Sequence, residues 1–572
     1  MDGSWAETRS IQQGMVFYQT GFGLLFGMLI LFCGEISKAH PAHAKPVKYP
    51  YVVGFERFHS SLDDDEYLAQ GGLILLNELN CVACHEPPRA LRETLAGVPG
   101  TRLDGVGDRL GSLDLELMIR SPRFVKQDTI MPSLFAGPDR DLAEVKALRH
   151  FLSTLSEKIP RYPEGDIEAG RHLYHRIGCA ACHAPEVGYR PAGIPENAEI
   201  ELAGLPSVPM NLADLYDLNA LTHFLLHPNE HRPSGRMPDF RLSEREAIDL
   251  AAYLKAGPDL ELPANVSEAL GAAETTEIDP DLVTKGKSLF VQKNCHACHT
   301  LPDHGLHQAT PMARPLRELS TTEDQGCLAQ RPPGGAVPFY GLDPVQKRSI
   351  RAALERLSSF EGWDAQKQID WRMKRLNCYA CHERGGVGGA ETAREVYFGF
   401  GTQEAIALGR AGHLPPQLDG VGAKLKPDWL EDALLEPGEV AVRPYLASRM
   451  PTFLAKESAP LLKLLQRHDE LPDWDLVEEE AKTRGPTGEM LFSARGENCQ
   501  ACHAAGSEEA TDYPGMDLAN SAERLTADYF DRFLRQRYAS HPPRVDGVER
   551  SEAAFSKKET AALWKWLKSV SD

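Results

Sequence analysis

Five copies of the pattern Cys-x-x-Cys-His recur along this chain, and any fold has to accommodate all of them. The copies begin at Cys81, Cys179, Cys295, Cys378 and Cys499, and they hold ten of the twelve cysteines in the 572 residues. With 12 Cys and 20 His in the chain, random placement would give on the order of 0.01 such pentapeptides. The repetition is therefore not accidental.

The chemistry of c-type haem attachment accounts for this spacing. Two thiols three positions apart lie about one helical turn apart, where they can form thioethers with the two vinyl groups of one porphyrin. The histidine that follows can supply an imidazole to the iron. Zinc sites and thioredoxin-like pairs also use Cys-x-x-Cys, but zinc needs pairs that combine into sets of four ligands, and neither requires the histidine. The sequence therefore predicts five covalent haem c groups.

This prediction assigns a role to every residue of the motifs that can bond. The predicted thioether residues are Cys81, Cys84, Cys179, Cys182, Cys295, Cys298, Cys378, Cys381, Cys499 and Cys502. The predicted proximal iron ligands are His85, His183, His299, His382 and His503.

The N-terminus indicates export. Residues 15–34 are strongly apolar, and Ala42-His43-Ala44 offers a small-x-small cleavage site. We therefore expect a signal peptide over residues 1–44 and a periplasmic or otherwise exported protein. The alternative is an uncleaved membrane anchor, because the apolar run approaches the roughly 20 residues that a membrane helix needs.

Helical patterns surround each motif. A glycine lies nine positions before the first cysteine in three copies, at Gly72, Gly170 and Gly286, within an amphipathic pattern. Each copy ends in a second helix rich in Leu and Ala, with possible capping side chains at Ser243, Asp343 and Ser556 in three copies. Polar or Pro-rich linkers separate the copies. The predicted modules are residues 65–156, 163–257, 280–358, 365–468 and 485–572.

A helix, a CxxCH loop, a middle helix, a Met loop and a closing helix together resemble the small class I cytochrome c domain. The resemblance implies an all-α fold of five tandem modules after the N-terminal signal or anchor segment. It also implies a distal Met ligand, commonly in a Met-Pro pair. Met131, Met237 and Met450 each precede a Pro ahead of the closing helix of modules one, two and four. The alternative interpretation is that these Met residues only fill the core.

Modules three and five depart from this pattern. In module three Val337 takes the place of the Met, so the iron has either an open position or another ligand. The nearby candidates are Cys327, Met312, His304 and His307. Cys327 resembles the thiolate ligand of some sulfur-oxidising cytochromes, although a buried free Cys is often only a small hydrophobe. In module five Glu552 takes the place of the Met, and His541 is the candidate ligand.

The net charge of the chain indicates which classes of binding partner suit it. The chain has 62 Lys and Arg against 82 Asp and Glu, a net charge of -20. This balance disfavours nucleic acid and anionic membrane surfaces, and it favours a redox protein with a basic docking surface. The main expectation is a single-electron carrier. The alternatives are a haem enzyme that acts on peroxide, a nitrogen oxide or a sulfur oxyanion in module three or five, and an electron-accepting subunit of a dehydrogenase complex.

Overall fold

The computed structural model describes residues 48–571 with gaps. The gaps are residues 62–63, 136–140, 192–193, 195–204, 211–215, 257–276, 309–310, 312, 322–324, 334–336, 399–411, 437–445, 472–486, 512–515 and 537–554. The predicted signal or anchor segment, residues 1–44, and the candidates Met312 and His541 lie outside the described residues. Within the described ranges, no helix is both long and apolar enough to cross a membrane.

Helices make up most of the structure, so the expectation of a helical fold is confirmed. In chain order the first helices are α1 Val53–Phe58, α2 Asp65–Glu78, α3 Val106–Arg109, α4 Ser112–Arg120, α5 Pro122–Val125, α6 Leu142–Ser153, α7 Ile167–Arg176, α8 Cys179–Cys182, α9 Leu218–Leu226, α10 Pro228–His231 and α11 Glu244–Lys255. They are followed by α12 Pro280–Gln292, α13 Pro344–Glu355, α14 Leu357–Phe360, α15 Ala365–Arg375, α16 Val421–Lys424, α17 Pro427–Leu435, α18 Ala455–His468, α19 Gly488–Phe492, α20 Ser521–Arg524, α21 Ala527–Arg535 and α22 Lys557–Ser571.

Short elements fill the connections. Single turns of 3-10 helix occur at Cys81–Ala83, Arg89–Leu91, Cys295–Ala297, Pro302–His304, Leu316–Glu318, Gly326–Leu328, Cys378–Ala380 and Cys499–Ala501, and a longer one at Thr392–Tyr397. A two-stranded antiparallel hairpin pairs Glu383–Arg384 with Val387–Gly388.

The capping side chains start three of the closing helices where the sequence predicts. Ser243 accepts a hydrogen bond from the backbone N–H of Glu246, and the Glu246 carboxylate accepts one from the Ser243 N–H. Asp343 and Ser556 begin α13 and α22 with the same reciprocal arrangement. Each such cap stabilises a helix by about 1 kcal/mol.

Each attachment loop follows an opening helix that packs against a closing helix. The pairs are α2 with α13, α7 with α11, α12 with α6, α15 with α18 and α19 with α22. Three of these pairs fall inside one predicted module each. The other two pairs do not. Helix α2 opens the segment 65–156 but packs on α13, the closing helix of 280–358. Helix α12 opens the segment 280–358 but packs on α6, the closing helix of 65–156. The segments predicted as modules one and three therefore exchange their closing helices.

The exchanged helix pairs have the same packing register as an unexchanged pair. In three pairs, a Cβ atom on the glycine of the opening helix would overlap a backbone carbonyl oxygen of the sixth residue of the closing helix. These contacts join Gly72 to Ser349, Gly170 to Asp249 and Gly286 to Ala147. Because the interfaces are equivalent, two similar segments can trade closing helices at little energetic cost, as in domain swapping.

Two hydrophobic cores each contain residues from both of the segments that exchange closing helices. One joins Leu73, Ile74 and Leu76 of α2 to Leu316, Tyr340 and Ile350 from the later segment. The other joins Val145, Leu148 and Phe151 of α6 to Leu289 and Phe290 of α12. Both cores therefore need residues from two segments that are separated by all of the 163–257 segment.

Candidate haem sites

The five motifs fold into nearly identical loops, which we number sites 1 to 5 in chain order. In sites 1, 3, 4 and 5 the motif starts with a turn of 3-10 helix, and in site 2 with a turn of α-helix. Within the described part of the chain no disulfide joins the cysteines. The paired thiols are therefore available for bonds to a porphyrin.

The residue before the first cysteine has a positive φ angle in every site. These angles are 56° at Asn80, 122° at Gly178, 59° at Asn294, 58° at Asn377 and 54° at Asn498. Asn and Gly tolerate this left-handed conformation better than other residues. An Asn or Gly directly before each motif is visible in the sequence, but these residues were not among the predicted site residues.

Each motif histidine has the same hydrogen bond. Its Nδ1 lies close to a backbone carbonyl oxygen, which can only accept, so Nδ1 carries the proton and Nε2 keeps a lone pair for a metal. The distances are 2.7 Å from His85 to Arg314, 2.8 Å from His183 to Val208, 2.7 Å from His299 to Thr101, 2.8 Å from His382 to Pro416 and 2.9 Å from His503 to Met516. This second-sphere bond orients the ring, as is usual for metal-binding histidines.

The exchange extends to these carbonyl loops. His85 donates to the later segment at Arg314, and His299 donates to the earlier segment at Thr101. Gly100 beside Thr101 lets the loop approach, because a Cβ there would lie 2.6 Å from Cε1 of His299. The loop that fixes the proximal side of site 3 is thus a part of residues 65–156.

At sites 2 and 3, burial favours the neutral form of the motif histidine and of the first motif cysteine. Loss of water lowers the pKa of His183 to about 4 and also lowers the pKa of His299. Burial raises the pKa of the Cys179 and Cys295 thiols to about 12. A neutral imidazole is the form that binds iron, so no proton has to leave these histidines at neutral pH.

Four of the loops approach one another in pairs, through the asparagines that precede the motifs of sites 1, 3 and 4. The Nδ2 atoms donate to a cysteine sulfur of the other site, at 3.3 Å from Asn80 to Cys298, 3.5 Å from Asn294 to Cys84 and 3.3 Å from Asn377 to Cys182. Sites 1 and 3 are therefore adjacent, and so are sites 2 and 4. Sites 4 and 5 connect through backbone bonds of 2.9 Å between residues 424–426 and 524–526.

A single cavity of about 2940 Å³ runs past all five sites. Its lining is mostly apolar and includes Cys84, His183, His299, His382, His503, Met131, Met237 and Met450. A pocket for one small ligand or cofactor occupies roughly 300–1,000 Å³. This cavity has the volume of several cofactors, and its donor set of paired thiols and oriented imidazoles fits haem c.

The residues expected at the distal positions of modules one and three lie in loops that lead to the other module's helix pair. Met131, expected in module one, precedes α6, which packs on the opening helix of site 3. Val337, expected in module three, precedes α13, which packs on the opening helix of site 1. Cys327 packs against the core that holds Cys81, and burial with the nearby Cys84 raises its pKa to about 11. Met237 and Met450 precede α11 and α18, which pack on the opening helices of sites 2 and 4.

A buried charge network joins three of the sites. Arg375, at the end of the opening helix of site 4, bridges Glu78 at 3.3 Å and also contacts Glu457 of α18. Arg236, next to Met237, donates to the second oxygen of Glu78 at 2.9 Å. The Arg375 and Glu78 side chains are each 6% exposed. No local sequence pattern predicts this network, because its members are far apart in the chain.

Comparison with known proteins gives one family match, which covers one of the five sites. Residues 167–257, which include site 2 with α7 and α11, match the cytochrome c family model. No curated protein and no solved structure matches the chain. The match shows a cytochrome c domain in this segment, and it supports a c-type cytochrome that uses haem for electron transfer.

Proposed function

We propose that the protein is an exported pentahaem c-type cytochrome that carries single electrons between redox partners. One observation carries the proposal. At all five CxxCH motifs, the histidine Nδ1 donates to a backbone carbonyl 2.7–2.9 Å away, which leaves Nε2 for iron. The family match covers one of these sites. The other four share its histidine-to-carbonyl hydrogen bond.

Haem iron supplies a one-electron couple whose potential depends on the axial ligands and on burial. The chain contributes thiols that fix the position of each porphyrin and imidazoles with a set tautomer. It also contributes the mostly apolar walls of the cavity. The asparagine-to-sulfur contacts support electron transfer within the pairs formed by sites 1 and 3 and by sites 2 and 4.

The partner that best suits this chain is a basic redox protein. The net charge of -20 favours diffusional encounter with a positively charged surface. A small basic cytochrome c is a suitable probe. Electron transfer to it from the reduced protein should slow as ionic strength rises, because salt screens the attraction. A rate that does not depend on salt would contradict the partner assignment.

A second function, a haem enzyme acting on a small molecule, is favoured by one observation. Val337 stands where three other loops carry Met, and valine has no atom that can bind iron. A site with no sixth protein ligand can bind an external molecule. Steady turnover of peroxide, of a nitrogen oxide or of a sulfur oxyanion, lost on Val337→Met, would support the enzyme over the carrier.

Haem stoichiometry tests the main proposal. Pyridine haemochrome assay combined with intact mass should give five covalent haems per chain. The double variant Cys499→Ala/Cys502→Ala should give four, because site 5 has its own helix pair and shares few contacts with the others. Fewer than four haems in the parent protein would overturn the proposal.

A further inference from the structure

We infer that sites 1 and 3 exchange distal ligands, so that Met131 serves the haem on Cys295 and Cys298, and the haem on Cys81 and Cys84 has no Met. This inference rests on the proposed attachment of haem at both sites. It reverses the order along the chain, in which Met131 follows Cys81 and Val337 follows Cys295.

The distal loops, which are the segments that carry Met131 and Val337 ahead of the closing helices, follow a path that supports the exchange. Leu134 and Phe135, which follow Met131, pack in the core that contains Phe290 and reaches Cys295. Tyr340, which follows Val337, packs in the core that reaches Cys81, and its hydroxyl donates to the Leu79 carbonyl at 2.9 Å. The residues after Met131 and after Val337 therefore pack with the other segment's attachment loop, whereas Ile130, directly before Met131, packs against the core that reaches Cys81.

The distal loops of sites 2 and 4, which carry Met237 and Met450, provide an internal comparison for those of sites 1 and 3. Their distal loops pair antiparallel at Asp239 and Thr452, two residues after Met237 and Met450. The loops of sites 1 and 3 pair in the same way at Ser133 and Phe339, two residues after Met131 and Val337. The four loops are thus equivalent in register.

In the unexchanged site 2, the methionine lies with the helix pair of its own loop. Met237 packs against the core that contains Tyr174 of α7 and Leu250 of α11 and that reaches Cys179. The same relation between loop and helix pair assigns Met131 to α6 and α12, hence to site 3. Val337 goes with α2 and α13, hence to site 1.

The chemical consequence is that site 1 differs from sites 2, 3 and 4. A thioether is a neutral ligand that raises the potential of haem iron, and site 1 has none at that position. Site 1 is therefore the place for an external ligand with the chemistry of carbon monoxide or cyanide. If the Cys327 thiol binds the iron of site 1 instead, the external ligand can bind only after that thiol has been removed.

The experiment uses the full-length holoprotein and the absorption band of iron bound to a thioether. The variant Cys295→Ala/Cys298→Ala should lose one of the three His/Met signals, and Cys81→Ala/Cys84→Ala should keep all three. The opposite pattern would overturn the inference. Haem is counted in the same samples, so a failure of haem attachment is separated from a failure of the ligand assignment.

Carbon monoxide provides a second readout without removal of a haem. If Cys327 is not a ligand, the reduced parent should bind one equivalent of carbon monoxide at site 1. If Cys327 is a ligand, only the Cys327→Ser variant should bind it. In either background, adding Val337→Met should abolish that equivalent. Cys81→Ala/Cys84→Ala should abolish it too. Binding that survives in Cys81→Ala/Cys84→Ala but disappears in Cys295→Ala/Cys298→Ala would refute the assignment.

Because a variant without one haem can fail to fold, a cross-link tests the exchange in the unmodified protein. Lys293, directly after α12, lies 2.6 Å from Glu144 of α6, so a zero-length carbodiimide should join them within a monomer. Glu144→Gln should remove only that product. The pair Lys367 and Glu66, 3.7 Å apart, serves as a reaction control. A Lys293 product found only in dimers, or absent while the control forms, would overturn the inference.

Discussion

Replacing Arg375 by Met removes the positive centre of the buried network and leaves two carboxylates behind. Glu78 is 6% exposed and keeps Arg236, whereas Glu457 is 11% exposed and loses the cation it contacts. Breaking a buried pair in this way costs about 3–5 kcal/mol. Over a cooperative unit of roughly 400 residues, an unfolding entropy of about 2.1 cal/mol/K per residue converts this into about 4–6 °C.

The assay is thermal unfolding of the holoprotein followed by far-UV circular dichroism. Arg92→Met is the matched control, because Arg92 pairs with Glu86 at the surface, with side chains 58% and 54% exposed. That pair should contribute less than about 1 kcal/mol. Adding Glu457→Gln to Arg375→Met should restore part of the loss, since a neutral amide removes one unpaired charge. Equal midpoints for Arg375→Met and Arg92→Met would refute the reasoning.

Other predictions concern pH, the distal ligand and helix packing. Burial, with Asp343 nearby, raises the pKa of Glu56 to about 7, so the folded state holds a proton that the unfolded chain releases above about pH 4.5. Stability should fall by up to about 3 kcal/mol as pH rises through 7, and Glu56→Gln should flatten this profile in denaturant titrations. Met237→Ala should remove one His/Met absorption signal and lower one haem potential, unlike the exposed control Met490→Ala; identical spectra would make Met237 core filler. Gly72→Val should destabilise the fold by about 3 kcal/mol or more, because its side chain meets backbone of α13; an unchanged unfolding midpoint would contradict that packing.

Local chemistry was readable from the sequence because it depends on neighbouring residues. The CxxCH spacing, the helix patterns on both sides and the caps at Ser243 and Asp343 are properties of short stretches. The helical architecture followed from them. The Asn or Gly before each motif belongs to the same class of signal, since a left-handed residue leaves a compositional trace.

The choice of partner helix could not be read from the sequence. Gly72 and Gly286 sit at the same offset in similar helices, and Ser349 and Ala147 hold the same sixth position in the helices they meet. Either pairing satisfies these local patterns, so propensity and periodicity do not distinguish them. Contacts between distant segments decide, such as the bond from Arg123 to the Gly341 carbonyl at 3.0 Å.

The sequence by itself thus predicted which residues could hold haem, because the spacing of thiols and imidazole is a property of each pentapeptide. Only the tertiary structure decided which closing helix packs on which opening helix and which attachment loops are neighbours. The physical reason is that equivalent interfaces differ little in energy, so long-range contacts select among them. The network around Arg375 shows the same principle, since its members are far apart in sequence and meet only when three helix pairs assemble.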